Sequence, residues 1–156
     1  TENSWFGGGM DMTPTFKNIK DKNILHKSLK KMCDQHNKRY YKKFSKECDE
    51  YFYLPHRKET RGDGGIFFEH LNTNKFEEDF AFTKDTGKSF LDIAPQIIIE
   101  NIEKKWTEND KIKQKIKRGR YAEFNLLYDR GTRFGLETGG NIDAILMSMP
   151  PEAIWK

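Results

Sequence analysis

The chain has 156 residues, of which 35% are hydrophobic, 13% aromatic and 33% charged, with a net charge of +4. Twelve Phe, six Tyr and three Trp are more aromatic mass than a disordered segment carries, so a folded domain, or a large piece of one, is expected. The small and dispersed positive excess does not choose between nucleic acid, a membrane surface and a carboxylate-rich small molecule. No apolar run approaches the roughly 18 residues that cross a bilayer, and residues 1–10 lack the pattern of a signal or transit peptide.

In chain order, Trp5-Phe6 reads as the end of a strand entering a tight turn at Gly7-Gly8-Gly9, which places its pairing partners upstream of Thr1. Ile24, Leu25, Leu29, Met32 and Cys33 then fall at helical spacing with Lys27, Lys30 and Lys31 opposite. A second helix carries Tyr40, Tyr41, Phe44, Cys48, Tyr51 and Phe52 and is ended by Pro55. Arg61 to Gly65 reads as a charged loop and Ile66-Phe67-Phe68 as a short buried strand. Residues 75–83 suggest a short acidic helix, followed by one from about Thr86 to Trp106 that Pro95 bends or splits. Thr107 with Asp110 resembles a capping pair opening a basic helix to Arg118. Tyr121 to Tyr128 alternates like a strand, and Ile142 to Met149 reads as another, stopped by Pro150-Pro151. Few strands, several helices and no β-α-β alternation point to an α+β fold.

Three segments have the residue types of a ligand site. Gly7 to Pro14 lets backbone approach a ligand and presents Asp11 beyond it; the alternative is a turn that Asp11 caps. His56 to Gly65 sets Arg57 and Arg61 among glycines, and guanidinium forks suit carboxylates; the alternative is a solvated loop in which they pair with Glu59 and Asp63. Gly119 to Asn141 reads as two strands joined by a glycine- and arginine-rich connection, fit for a ligand contact or a subunit interface, or simply an ornate hairpin. The four histidines, His26, His36, His56 and His70, stand singly, and a structural role is the expectation for each. Cys33 and Cys48 show no metal or redox spacing and are expected to be buried thiols. Spacing and composition thus stop at an α+β domain with loops suited to an anionic ligand.

Taken together, five segments resemble the oxygen-dependent coproporphyrinogen III oxidases: W-F-G-G-G-x-D-x-T-P at Trp5, H-x-x-L-K-x-x-C-D-x-H at His26, H-R-x-E-x-R-G-x-G-G-I-F-F at His56, G-R-Y-x-E-F-N-L-L-Y-D-R-G-T-x-F-G-L at Gly119, and I-L-M-S-M-P-P at Ile145. The resemblance implies that residues 1–156 are the C-terminal portion of a single catalytic domain, an antiparallel sheet flanked by helices on both faces, whose N-terminal part lies upstream. It implies an oxidoreductase that oxidatively decarboxylates two propionates of coproporphyrinogen III to give protoporphyrinogen IX in haem biosynthesis, with dioxygen as co-substrate and no metal or other cofactor. Asp11 matches the family's carboxylate at the pyrrole nitrogens, and Arg61 an arginine that holds a propionate. Gly139, Gly140 and Asn141 match the substrate-binding turn, where Asn141 replaces the usual arginine and leaves Arg130 or Arg133 as nearby cations. His26 and His56 match metal-ligating histidines assigned in bacterial relatives, but no metal site is expected. A homodimer through the strand region from about Tyr121 is implied, with no membrane span, in the cytoplasm or the mitochondrial intermembrane space. The alternatives are a porphyrin-binding relative without turnover and a basic nucleic-acid-binding domain; the latter lacks any R-G-F-G-F-V-type signature.

Overall fold

The computed structural model describes residues 4–156; residues 1–3, part of the opening read as free of a leader, lie outside them. The elements run β1 (Phe6–Met12), α1 (Ile19–His36), α2 (Tyr40–Tyr51), β2 (Tyr53–Leu54), β3 (Glu59–Thr60), β4 (Gly64–Leu71), α3 (Phe76–Asn101), α4 (Glu108–Leu127), α5 (Arg130–Glu137) and α6 (Ile142–Ile145). Strands β1 and β4 pair antiparallel, and β2 pairs with β3. This is an α+β architecture with a small antiparallel sheet. The chain divides into two compact units, Thr1–Tyr53 with Gly62–Lys104, and Leu54–Arg61 with Lys105–Lys156.

The first unit has an apolar core drawn from every one of its long elements. Leu25, Leu29, Met32 and Cys33 of α1, Phe44 of α2, Ile66, Phe68 and Leu71 of β4, and Phe82 and Ile93 of α3 form one buried cluster with Met10. The α1 residues fall at helical spacing, so one stripe of that helix enters the core, as its periodicity requires. Phe44, Phe68 and Phe82 close on one another with ring centroids 5.0–5.6 Å apart, the range of favourable tilted packing. Cys33 and Cys48 are both buried thiols, and burial pushes the Cys33 thiol up to about 12.

The second unit is organised by α4. Thr107 accepts from the Asp110 backbone N–H while the Asp110 carboxylate accepts from the Thr107 backbone N–H, a reciprocal capping box. That start propagates to Leu127, well past Arg118, because no proline interrupts the helix.

Several elements differ from what the sequence suggests. The three glycines do not turn the chain but run inside β1, which pairs with β4 downstream of it. Helix α3 is continuous from Phe76 and passes through Pro95. Leu91, whose carbonyl loses its N–H partner, and Pro95 are both exposed to water. Tyr121 to Tyr128 is not a strand. Its residues up to Leu127 belong to α4, which Tyr128 caps, with Gly119, Ala122 and Asn125 buried three residues apart and Leu126 and Leu127 about half exposed, at 49% and 54%. Ile142 to Met149 is not a strand either: Asn141 accepts from Ala144 N–H and starts the single-turn α6 instead.

Candidate functional site

Asp11 lies near the end of β1, half-buried, opposite Gly65 of β4. The pairing is exceptionally close. A Cβ on Gly65 would stand 2.0 Å from the Met10 carbonyl oxygen and 2.7 Å from Asp11 Cα, and Gly65 has φ +156°. On the other strand, a Cβ on Gly9 would stand 2.6 Å from the Ile66 carbonyl oxygen. Glycine is required at both positions for the strands to meet at this distance. The end of the pair is tied further: Asp63 N–H donates to the Met12 carbonyl at 2.8 Å, and His26 Nε2–H donates to the Asp63 carbonyl at 2.9 Å. The remaining His26 nitrogen, Nδ1, meets the Tyr41 hydroxyl at 2.9 Å and accepts from it in the neutral ring. The backbone that presents Asp11 is therefore fixed by two strands, a turn and two helices.

In the second unit, the loop that follows β2 lies along one face of α4. Glu123 is its anchor. The Arg57 fork donates Nη2–H to Oε1 at 2.6 Å and Nε–H to Oε2 at 3.0 Å, and His56 Nε2–H donates to Oε2 at 2.7 Å. Tyr128 meets the other His56 nitrogen at 2.8 Å. Arg120 stands 3.4 Å from Glu123 and 3.3 Å from Glu59, linking the loop to the helix a second time. The Glu123 side chain is only 10% exposed. The Arg57 hydrogen bonds, opposed by burial and aided by His56 and Arg120, hold its carboxyl down at about 2. Arg61 ends this loop with its guanidinium over the Tyr121 ring at 5.3 Å and the Phe124 ring at 5.0 Å.

The other expected site residues also have definite places. Thr138 caps α5, Gly139 beyond it takes the left-handed conformation at φ +73°, and Gly140 N–H returns to the Gly135 carbonyl at 2.9 Å. Asn141 follows and spends its side-chain oxygen on the N-terminus of α6, so the turn joins two helices and not two strands. Arg133 lies 3.6 Å from Glu137 on the exposed side of α5. Arg57, which the loop composition offered as a second anion contact, meets an internal anion instead. Its partner Glu123 was missed in the sequence because the strand reading of Tyr121 to Tyr128 turned it away from Ala122 and Phe124.

The histidines are committed within the protein. His26 and His56 each engage both ring nitrogens, His36 meets Asp85 at 3.0 Å, and the His70 ring lies 4.5 Å from the Trp5 ring. Among the described residues, no group of three or more His, Cys, Asp or Glu is disposed to hold a metal ion. Among them, too, no helix is long and apolar enough to cross a membrane.

The family model described as coproporphyrinogen III oxidase matches residues 1–156. An oxygen-dependent coproporphyrinogen-III oxidase of Rickettsia bellii (strain OSU 85-389) is 54% identical over 155 residues, which is 99% of this chain and 56% of that protein. The corresponding protein of Rickettsia rickettsii (strain Sheila Smith) is 55% identical over 152 residues, 97% of this chain and 54% of its own length. The chain thus spans little more than half the length of these relatives. The match takes in both units, the glycine-closed strand pair and the α4 platform alike, and the chain belongs to the coproporphyrinogen III oxidase family.

Proposed function

We propose that this chain is part of an oxygen-dependent coproporphyrinogen III oxidase, which converts two propionates of coproporphyrinogen III to vinyl groups on the way to haem. The observation that carries this reading is the family match over residues 1–156, joined by relatives named for that activity. In each step a propionate loses carbon dioxide and a β-hydrogen, and dioxygen takes up the two electrons and leaves as hydrogen peroxide. The reduced tetrapyrrole is electron-rich enough to react with dioxygen once a pyrrole N–H is deprotonated, so no metal or organic cofactor is needed. Asp11 supplies the carboxylate that accepts from the pyrrole N–H groups, as base or charge stabiliser. Its fixed backbone supports this role, since preorganised acceptors lose little in reorganisation. Arg61 holds a propionate edge-on, while Gly139, Gly140 and Asn141 form the turn beside the substrate, with Asn141 contributing at most a neutral amide.

The second reading is a porphyrin-binding relative without turnover, favoured by Asn141 being engaged at the start of α6. Incubating the full-length protein with coproporphyrinogen III, in air and without it, separates the two. Air-dependent loss of substrate with hydrogen peroxide formation is expected, and binding without consumption would select the second reading. Exhaustive chelation should leave the rate intact. Recovery only on adding one metal would bring His26 and His56 forward as ligands. We also assign a homodimer, formed through the surface from Tyr121 onward, now helical. Exposed Phe134, Ile142 and Met147 on that stretch support it, and sedimentation as a monomer would contradict it. A cytoplasmic location accords with the bacterial relatives.

A further inference from the structure

Arg61 is held by more than its own contacts. The loop from His56 to Arg61 meets α4 at three successive levels: His56 and Arg57 at Glu123, Glu59 at Arg120, and Arg61 at Tyr121 and Phe124. Residues 120, 123 and 124 are neighbours on one face of a helix, so this face acts as a template for the loop. Of these contacts, the Glu123 fork is the best directed: one guanidinium gives two charge-assisted hydrogen bonds to a carboxylate that is only 10% exposed.

We infer that Glu123 is a positioning residue for substrate binding: by clamping Arg57 and His56 it sets where the Arg61 guanidinium meets a substrate carboxylate. This rests on the reading of Arg61 as a propionate contact. Glu123 does not itself face the substrate as an acid or base, because its oxygens already accept from Arg57 and His56. Its strongly lowered pKa agrees, since it remains an anion throughout the range in which the substrate carboxylates are ionised. A bidentate contact requires the two partners to be coplanar. A loop displaced by about 1 Å retains the charge of Arg61 and loses the fork.

The test is a double-mutant cycle in the full-length protein, reading kcat and KM for coproporphyrinogen III separately. Glu123→Gln keeps the shape and removes the charge; it should raise KM by roughly tenfold, the scale of a charge-assisted hydrogen bond, with little change in kcat. Arg61→Ala should raise KM to a similar or larger extent. The combined variant should bind no worse than Arg61→Ala alone, because Glu123 acts through Arg61. If the two effects simply add, or if Glu123→Gln leaves KM unchanged, the positioning role is wrong even though Arg61 binds substrate. If Arg61→Ala leaves KM unchanged, the substrate contact itself is wrong and the inference falls with it. Should Glu123→Gln fail to fold, Arg57→Lys replaces it in the same cycle, keeping the charge and losing the fork, with the same coupling expected and additivity again overturning the role.

Discussion

The two units hold their proposed site residues by opposite means. Asp11 stands on backbone: two glycine-closed strands beside a core of aliphatic and aromatic side chains. Arg61 stands on side chains: a run of ion pairs and ring contacts between a loop and α4, in a unit with only a few buried apolar residues, such as Phe124 and Ala122. Backbone closure and apolar burial respond to volume and hardly to pH. An ionic clamp responds to charge and hardly to small changes in volume. The proposed chemistry is distributed accordingly. A residue that must meet pyrrole nitrogens at one fixed place is set on the stiff support, and one that must meet a carboxylate is set on a polar one.

Substitutions can break this contrast in order of size. Phe82→Ala removes the ring that packs on both Phe44 and Phe68, and should cost about 3–5 kcal/mol in chemical denaturation. Gly65→Ala forces a Cβ against the Met10 carbonyl and should cost about 3 kcal/mol, or prevent strand pairing; an unchanged denaturation midpoint would show that the closeness at Asp11 is not required. Glu123→Gln should cost about 1.5–3 kcal/mol, because Arg57 loses a charged acceptor.

That cost carries a pH signature. The folded Glu123 carboxyl lies at about 2, below its ordinary 4.5, so its contribution is complete above pH 4.5 and is lost as pH falls toward 2. Stability curves of wild type and Glu123→Gln should therefore run parallel at neutral pH and converge in that acid window, whereas Phe82→Ala should keep its full deficit throughout. Smallest of all, Thr107→Ala removes the hydroxyl of the α4 capping box and should cost about 1 kcal/mol, with helix content falling near residues 107–111 by hydrogen exchange.

How much of this was legible in the sequence follows the range of the interactions. Local signals carry over: the apolar stripe of α1, the aromatic stripe of α2, the Thr107–Asp110 cap and the strand at Ile66-Phe67-Phe68 all stand, though only Ile66 and Phe68 of those three are fully buried. Gly7-Gly8-Gly9 was read as a turn because glycine weakens an isolated strand; its reason for being there is a partner strand nearly sixty residues on, with Gly8 facing Phe68. Tyr121 to Tyr128 misled because alternating Ala122, Phe124, Leu126 and Tyr128 imitate a strand, while the cap that makes the segment helical lies fourteen residues before Tyr121. The Arg57–Glu123 pair, 66 residues apart, depends on helical geometry that the strand reading excluded. Among the site residues, Asp11, Arg61, Gly139, Gly140 and Asn141 were nominated by resemblance, and spacing alone would have left each with a purely structural alternative.

The most direct test of the central claim, that the rigid strand pair presents the catalytic carboxylate, is the kinetics of Asp11→Asn in the full-length protein. The substitution preserves shape and removes only the charge and basicity. The account predicts that kcat for coproporphyrinogen III falls by about 10²–10⁴ while KM changes little, the size expected for removing a positioned base. A kcat close to that of the unaltered protein would contradict it and leave Asp11 as a residue of the strand end alone.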